Sequence, residues 1–115
     1  MTTYINLTPH PLSIFDEQGA LVLSLSPAAG MRTPRVSQIN ERVAEAEAET
    51  PNGVVPVYRP QFGEVTDLPP RRNGYIYIVS RMVRSAVQGR SDIVCPGLPI
   101  RDELGRITGA KGLSY

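Results

Sequence analysis

Two turns that share the pattern Asp-Glu-X-Gly most constrain what this chain can fold into. Asp16-Glu17-Gln18-Gly19 and Asp102-Glu103-Leu104-Gly105 each stand between short segments in which apolar and polar residues alternate. Alternation with a period of two is typical of a strand with one buried face, and glycine supplies the positive φ that tight hairpin turns need. We therefore expect an antiparallel β-hairpin near each end of the chain.

The segment Tyr75–Val79 is apolar at every position, which predicts a central strand that is buried on both faces. Ser80 then caps a predicted helix near residues 81–88 that ends at Gly89. Apolar side chains recur in this helix at helical spacing: Met82, Val83, Ala86 and Val87. The pattern predicts a mainly β (α+β) fold, either a small antiparallel sheet or a barrel-like domain, with one short helix. At this length, residues 1–115 are expected to form a single domain.

Residues 35–50 allow two interpretations. The run AEAEAET is rich in good helix formers. However, Pro51-Asn52-Gly53 is a turn and Val54–Tyr58 reads as a strand. We favour a long hairpin whose charged first strand is exposed, with glutamates protecting its edge from aggregation, and the helix remains the alternative. Gln61–Gly74 is predicted to be a loop.

The charge of the chain is distributed unevenly. The net charge is +1, but residues 1–58 carry −3 and residues 59–106 carry +3, and eleven of the twelve basic residues are arginines. Arginine offers a planar fork of donors for phosphates and carboxylates and stacks on flat rings. A GC-rich genome would also enrich arginine, so the excess has two explanations. The near-neutral total argues against general nucleic-acid binding.

The sequence also predicts where the protein works. No apolar run approaches the roughly 18 residues of a membrane span, and the start MTTYINLTPH lacks the basic and apolar regions of a signal peptide. A single cysteine, Cys95, cannot form an internal disulfide, which suits a reducing cytosol. We expect a cytoplasmic protein with no membrane contact.

The start of the predicted helix is a candidate anion site. Ser80 stands at the cap, and Arg81 and Arg84 follow within about one turn. A helix amino end already carries about half a positive charge and free N–H groups, so it suits phosphate better than added cations. The alternative is that both arginines form ordinary ion pairs with nearby acids such as Glu64, Asp67 or Asp92.

Two further pairs of arginine and aspartate are candidate ligand contacts. Arg90 and Asp92 follow the helix, and Arg101 and Asp102 precede the last turn. One donor and one acceptor side by side can recognise a base or ribose. The alternative is that the two aspartates hold neighbouring arginines or close turns.

Asn6 and His10 are candidates for the rim of a binding site. His10 is the only histidine and lies between two prolines, which would present it rigidly; a structural histidine bonded within its turn is the alternative. It has no second histidine or cysteine for zinc, and no nucleophile is placed beside it. The chain also lacks a glycine-rich phosphate loop and paired carboxylates. We therefore expect no catalysis, no metal and no cofactor.

Short motifs run through the chain in a fixed order: Asn6-Leu7-Thr8-Pro9-His10, Phe62-Gly63-Glu64-Val65, Leu68-Pro69, Tyr77-Ile78-Val79-Ser80, Arg90-Ser91-Asp92, Pro96-Gly97, Arg101-Asp102, Gly105-Arg106 and Gly109. In this order they resemble a family of small phage-encoded proteins. The similarity spans nearly the whole chain and is weakest over residues 27–56.

The resemblance implies an origin in a phage and, by analogy with phage sponges, a non-catalytic anti-defence function. Sponges sequester nucleotide-derived immune signals, so the implied ligand is a cyclic ADP-ribose variant or a cyclic oligonucleotide. It also implies a homo-oligomer in the cytoplasm of the infected bacterial host. Two other hypotheses remain: a protein–protein module, either a phage structural accessory or an inhibitor of a host protein, and a nucleotide-processing enzyme that uses His10 as acid or base.

Overall fold

Strands dominate the computed structural model, which describes residues 1–115. Half of the residues lie in strands and 8% in helical turns, which confirms the mainly β prediction. A short 3₁₀ turn covers Ala44–Ala46. In chain order the strands and the α-helix are β1 (Thr3–Asn6), β2 (Leu12–Phe15), β3 (Leu21–Leu25), β4 (Arg35–Arg42), β5 (Ala48–Thr50), β6 (Gly53–Val55), β7 (Tyr58–Thr66), β8 (Tyr75–Ile78), α1 (Arg81–Ala86), β9 (Ile93–Arg101) and β10 (Ile107–Ser114).

The main sheet has six strands in the order β1-β8-β9-β10-β2-β3. The predicted hairpins are confirmed as the antiparallel pairs β2–β3 and β9–β10. The sheet is mixed, however, because β1–β8, β8–β9 and β10–β2 are parallel pairs. For β8–β9 the reason is that α1 connects the two strands, and a helical crossover returns the chain in the same direction.

The two edge strands of this sheet approach each other at one end, so the sheet is nearly closed and barrel-like. The side-chain Nδ2 of Asn6, the last residue of β1, donates to the carbonyl oxygen of Leu25, the last residue of β3, at 3.3 Å. The backbone N–H of Ala28 donates to the carbonyl oxygen of Asn6 at 2.9 Å. Closure protects edge strands from pairing with other chains.

Strand β8 lies between β1 and β9 and is buried on both faces, as predicted. Ile78 is fully buried on one face. On the other face β8 contributes to a cluster that joins sheet and helix: Leu7, Tyr77, Val79, Val83, Val87 and Ile93. The helix begins after Ser80 as expected, with the backbone N–H of Val83 donating to Ser80 Oγ, but Met82 lies half exposed. At six residues, α1 is far too short to cross a membrane, and the structure has no longer helix.

Residues 35–66 form a long hairpin, here called the arm; the rest of the chain is called the body. Strands β4 and β7 pair along the arm, and β5 and β6 pair at its far end. Only Val36 and Val65, at the base of the arm, pack against the core cluster. The radius of gyration is 18.0 Å, whereas a compact chain of this length has about 13 Å. The strand interpretation of residues 35–50 is confirmed except at the short 3₁₀ turn.

The loop predicted over Gln61–Gly74 is wrong in its first half. Strand β7 continues to Thr66, with Gln61 paired with Ile39 and Phe62 with Gln38. The hydrogen bonds that make this segment a strand come from β4, whose paired residues are 22 to 31 positions away in the chain. Local residue patterns carry no information about such a partner.

Candidate functional site

A cavity of about 660 Å³ lies between the turn after β1, the start of α1 and the β9–β10 hairpin. Arg81 and His10 are its only side chains that can carry positive charge, and no aspartate or glutamate lines it. A cavity with this lining favours an anion. Its wall is formed by residues 8–13, Ser80, Arg81, Pro96, Gly97, Pro99 and residues 107–110.

The turn that presents His10 is held by Asn6. Asn6 is 2% exposed, and its Oδ1 accepts from the backbone N–H of Thr8 at 2.9 Å and from Thr8 Oγ1 at 2.6 Å. Asn6 Nδ2 donates to the carbonyl oxygen of His10 at 2.8 Å. His10 itself is exposed at the cavity rim. Asn6 is therefore buried behind the rim and supports it.

Arg81 also lines the cavity, and its side chain has a single hydrogen bond. Its Nη2 donates to the carbonyl oxygen of Pro96 at 3.3 Å, and the residue is exposed. No carboxylate lies within 4.0 Å of its guanidinium group. Arg81 thus keeps most of its donors free, while Ser80 uses its hydroxyl oxygen to cap α1.

Gly97 and Gly109 allow the strands around the cavity to approach closely. A Cβ at Gly97 would collide with the carbonyl oxygen of Lys111 on the neighbouring strand. A Cβ at Gly109 would lie 2.5 Å from Phe15 Cε2 and 2.7 Å from the carbonyl oxygen of Ser13. The approach of β10 to β2 beneath the cavity therefore requires glycine at position 109.

Gly109→Ala is expected to lower the free energy of unfolding by about 1–3 kcal/mol, because the backbone of β2 must move to admit the methyl group. Thermal or denaturant unfolding measures it. Gly63→Ala is the matched control, since the added Cβ there collides only with the hydroxyl of Ser37, which can rotate away. Equal losses in the two variants would contradict the close approach of β2 and β10.

Arg84 is not brought to the cavity. Its Nη1 donates to the carbonyl oxygen of Val87 at 2.8 Å, at the carboxyl end of α1, and its guanidinium carbon lies 5.2 Å from the centre of the Tyr115 ring. Its Nε is buried without a hydrogen-bond partner. The structure therefore separates the two arginines that the sequence placed at one anion site.

Arg90 and Asp92 form a largely buried ion pair, and neither residue lines the cavity. Nε and Nη2 of Arg90 each donate to Asp92 at 2.8 Å, and Nη2 also donates to the carbonyl oxygen of Pro69 at 3.0 Å. The hydrogen bonds from Arg90 lower the pKa of the Asp92 carboxyl, although burial acts in the opposite direction. Asp92 also lines a smaller groove of about 370 Å³ beside Arg71, Arg72 and Tyr75.

Arg101 and Asp102 close the β9–β10 turn and do not line the cavity. Asp102 Oδ1 accepts from the backbone N–H groups of Leu104 at 2.9 Å and Arg106 at 3.0 Å. The bond from the Arg106 backbone is the main cause that lowers the pKa of Asp102. Arg101 donates to the carbonyl oxygen of Gly105 at 2.7 Å. For this pair the geometry matches the alternative interpretation, in which Asp102 closes a turn.

Of the predicted site residues, the cavity brings together His10, Ser80 and Arg81, with Asn6 directly behind. Sequence reasoning missed several residues of its wall: Ser13, Pro96, Gly97, Pro99, Thr108 and Gly109. Two signals were present, since Pro96-Gly97 and Gly109 belong to the ordered motifs. The sequence of a motif does not indicate which other motif it faces in the folded protein.

No family model, curated protein or solved structure matches this chain. The resemblance to small phage-encoded proteins therefore depends on the motifs alone. Several of these motifs meet at the cavity, where Thr8-Pro9-His10, Ser80, Pro96-Gly97 and Gly109 all contribute to the wall.

Proposed function

We propose that the cavity binds a phosphate-bearing, nucleotide-derived signal, which the protein sequesters without altering it. The observation that carries this proposal is the charge of the lining: Arg81 and His10 face the cavity and no carboxylate does. An anionic ligand would meet an arginine whose donors are largely free. The resemblance of the ordered motifs to small phage-encoded proteins implies that this is an anti-defence protein in the cytoplasm of a phage-infected bacterium.

The size and character of the cavity support a ligand of this class. Its volume of about 660 Å³ falls within the range of roughly 300–1,000 Å³ that small-molecule sites occupy. Proline rings at positions 9, 11, 96 and 99 offer rigid apolar surfaces, against which a flat heterocycle can pack. Hydroxyl groups of Thr8, Ser13 and Thr108 stand among them and can bond ribose or phosphate oxygens.

Arg81→Ala is expected to weaken binding of an anionic ligand by about 10- to 100-fold, which is the usual contribution of a charge-assisted hydrogen bond. Calorimetric titration with cyclic ADP-ribose and with a cyclic dinucleotide measures the loss. The fold should persist, since Arg81 is exposed and its one hydrogen bond is long.

Arg72→Ala is the matched control for this variant. Arg72 is also exposed and has no carboxylate partner, but it lies beside the smaller groove, 4.3 Å from the Tyr75 ring centre. Its removal should leave the affinity unchanged. A loss in Arg72→Ala or Arg84→Ala with none in Arg81→Ala would assign the ligand to another surface.

Native mass spectrometry of the protein, after incubation with extract from cells whose nucleotide-based defence has been triggered, tests the function itself. We expect one discrete added mass that is released chemically unchanged on denaturation. A released product of different mass would favour the enzyme hypothesis. No added mass from any such extract would overturn sequestration and favour a protein–protein module.

A further inference from the structure

The arm exposes apolar side chains that nothing in the chain covers. Five of them lie beyond its base, each between 48% and 68% exposed: Ile39, Val54, Val55, Tyr58 and Phe62. A two-stranded hairpin with both faces in water is marginally stable by itself. The arm therefore needs a partner to bury it.

The total surface of the chain supports the same conclusion. The chain exposes 8225 Å², whereas a compact monomer of 12.6 kDa exposes about 6,200 Å². The excess of roughly 2,000 Å² per chain is comparable to the whole area of a standard protein–protein interface. An association that covered the arm would bring the chain to the surface expected for its mass.

The charge of the arm indicates what covers it. The arm carries five glutamates and three arginines, a net charge of −2, while the body carries nine basic and six acidic residues, a net charge of +3. Towards its far end Glu41, Glu45 and Glu49 are exposed and have no cationic partner within 4.0 Å. Two arms side by side would repel each other, whereas the arm of one copy and the body of another copy would attract each other.

The β9–β10 hairpin of the body has the matching surface. Leu98, Leu104 and Ile107 are exposed by 70%, 76% and 62%. Arg101 and Lys111 on the same hairpin are exposed and have no carboxylate partner within 4.0 Å. The hairpin is apolar and carries a net charge of +1, from Arg101, Arg106 and Lys111 against Asp102 and Glu103, whereas the arm is apolar and acidic.

We propose that the arm of one chain docks on the β9–β10 hairpin of a second copy of this chain. Reciprocal exchange of arms between two copies is the simplest closed assembly of this kind. The apolar side chains of the arm meet Leu98 and Leu104, and its glutamates lie near Arg101 and Lys111. Ile107 belongs both to this surface and to the cavity wall, but docking requires no ligand in the cavity.

Light scattering coupled to size exclusion, from 1 to 100 µM protein, tests the assembly with the full chain. We expect a mass of two chains or a higher whole multiple, and a mass of one chain at all concentrations would overturn the proposal. Tyr58→Ser with Phe62→Ser should raise the dissociation constant at least about 100-fold, since two large apolar side chains on one face of the arm leave the interface. Leu98→Ser with Leu104→Ser should do the same from the other side.

Leu21→Ser with Val22→Ser is the matched control, because these side chains are similarly exposed but lie on β3. This variant should keep the mass of the wild type, and dissociation equal to that of the arm variant would overturn the assignment to the arm. If the arm variant dissociates but Leu98→Ser with Leu104→Ser does not, the β9–β10 hairpin is not the receiving surface. Circular dichroism confirms that each variant keeps its strands.

Neutralising the arm distinguishes docking on the body from pairing of two arms. Glu45→Gln with Glu49→Gln should raise the dissociation constant if the arm meets a basic surface, and the wild-type constant should rise with salt concentration. An unchanged or lower dissociation constant in this variant would contradict docking on the body, because it is the result that two repelling arms would give.

Discussion

Replacing Asn6 by alanine is expected to lower the free energy of unfolding by about 3–4 kcal/mol, because four side-chain hydrogen bonds of a buried group are lost together. These bonds tie the end of β1 to the turn at Thr8 and His10 and to the last residue of β3. Their loss leaves the backbone N–H of Thr8 without a partner inside the protein, and the carbonyl oxygen of His10 keeps only the hydrogen bond from Thr8 Oγ1 at 3.0 Å. Chemical denaturation measures the change.

Asn40→Ala provides the comparison for this variant. Asn40 is exposed on the arm, and its side chain has one hydrogen bond, accepted from Gln38 at 3.1 Å. We expect its effect to be within about 0.5 kcal/mol. A cost below about 1 kcal/mol for Asn6→Ala would mean that Asn6 does not hold the sheet edges and the turn together. The cavity should also lose its rim in this variant, so ligand affinity should fall with stability.

Arg90→Ala is expected to lower the free energy of unfolding by about 3 kcal/mol, since it leaves the Asp92 carboxylate buried without its main partner. Asp92 is 5% exposed and receives two hydrogen bonds of 2.8 Å from Arg90. The same arginine ties the segment before β8 to β9 through the carbonyl oxygen of Pro69. Denaturant unfolding at pH 7 measures the loss.

The Arg106→Ala variant is the control, because it breaks an arginine–aspartate pair at the surface, which has a single side-chain hydrogen bond. Arg106 Nε lies 3.0 Å from Asp102, but the Arg106 side chain is 73% exposed. Exposed pairs contribute little, so this variant should unfold close to the wild type. Equal destabilisation in the two variants would mean that burial does not decide the contribution of these pairs.

The pH dependence of stability gives a second test of the Arg90–Asp92 pair. Hydrogen bonds from Arg90 lower the pKa of Asp92 in the folded protein, so its stabilising effect is complete above the ordinary carboxyl pKa of about 3.9. That effect is lost as pH falls through the lowered pKa. The difference in stability between the wild type and Arg90→Ala should therefore narrow as pH falls below about 4. A constant difference down to pH 2 would contradict the assignment.

Local chemistry was sufficient wherever an element is stabilised by its own residues. The turns at Asp16–Gly19 and Asp102–Gly105 are built from their own side chains: Asp16 and Asp102 each accept backbone N–H groups within four residues. The start of α1 follows the same rule, since Ser80 caps it directly. Sequence reasoning therefore located both hairpins and the helix.

Pairing between distant segments could not be predicted in the same way. Strand β7 extends to Thr66 because β4 accompanies it, and the main sheet is mixed because the crossover through α1 brings β9 parallel to β8. The candidate site has the same origin. Arg81 and Arg84 are three residues apart in the chain, yet one lies at the cavity and the other against Tyr115.

The sequence by itself determined the mainly β character, the two terminal hairpins, the capped helix and the uneven distribution of charge, because each depends on residues close together in the chain. Only the tertiary structure decided which strands are neighbours, that the arm projects from the body, and that Pro9, His10, Arg81 and Gly109 share one cavity. These features depend on backbone hydrogen bonds and close packing between segments dozens of residues apart. No local pattern records such contacts, since many pairings satisfy the same alternation of apolar and polar residues.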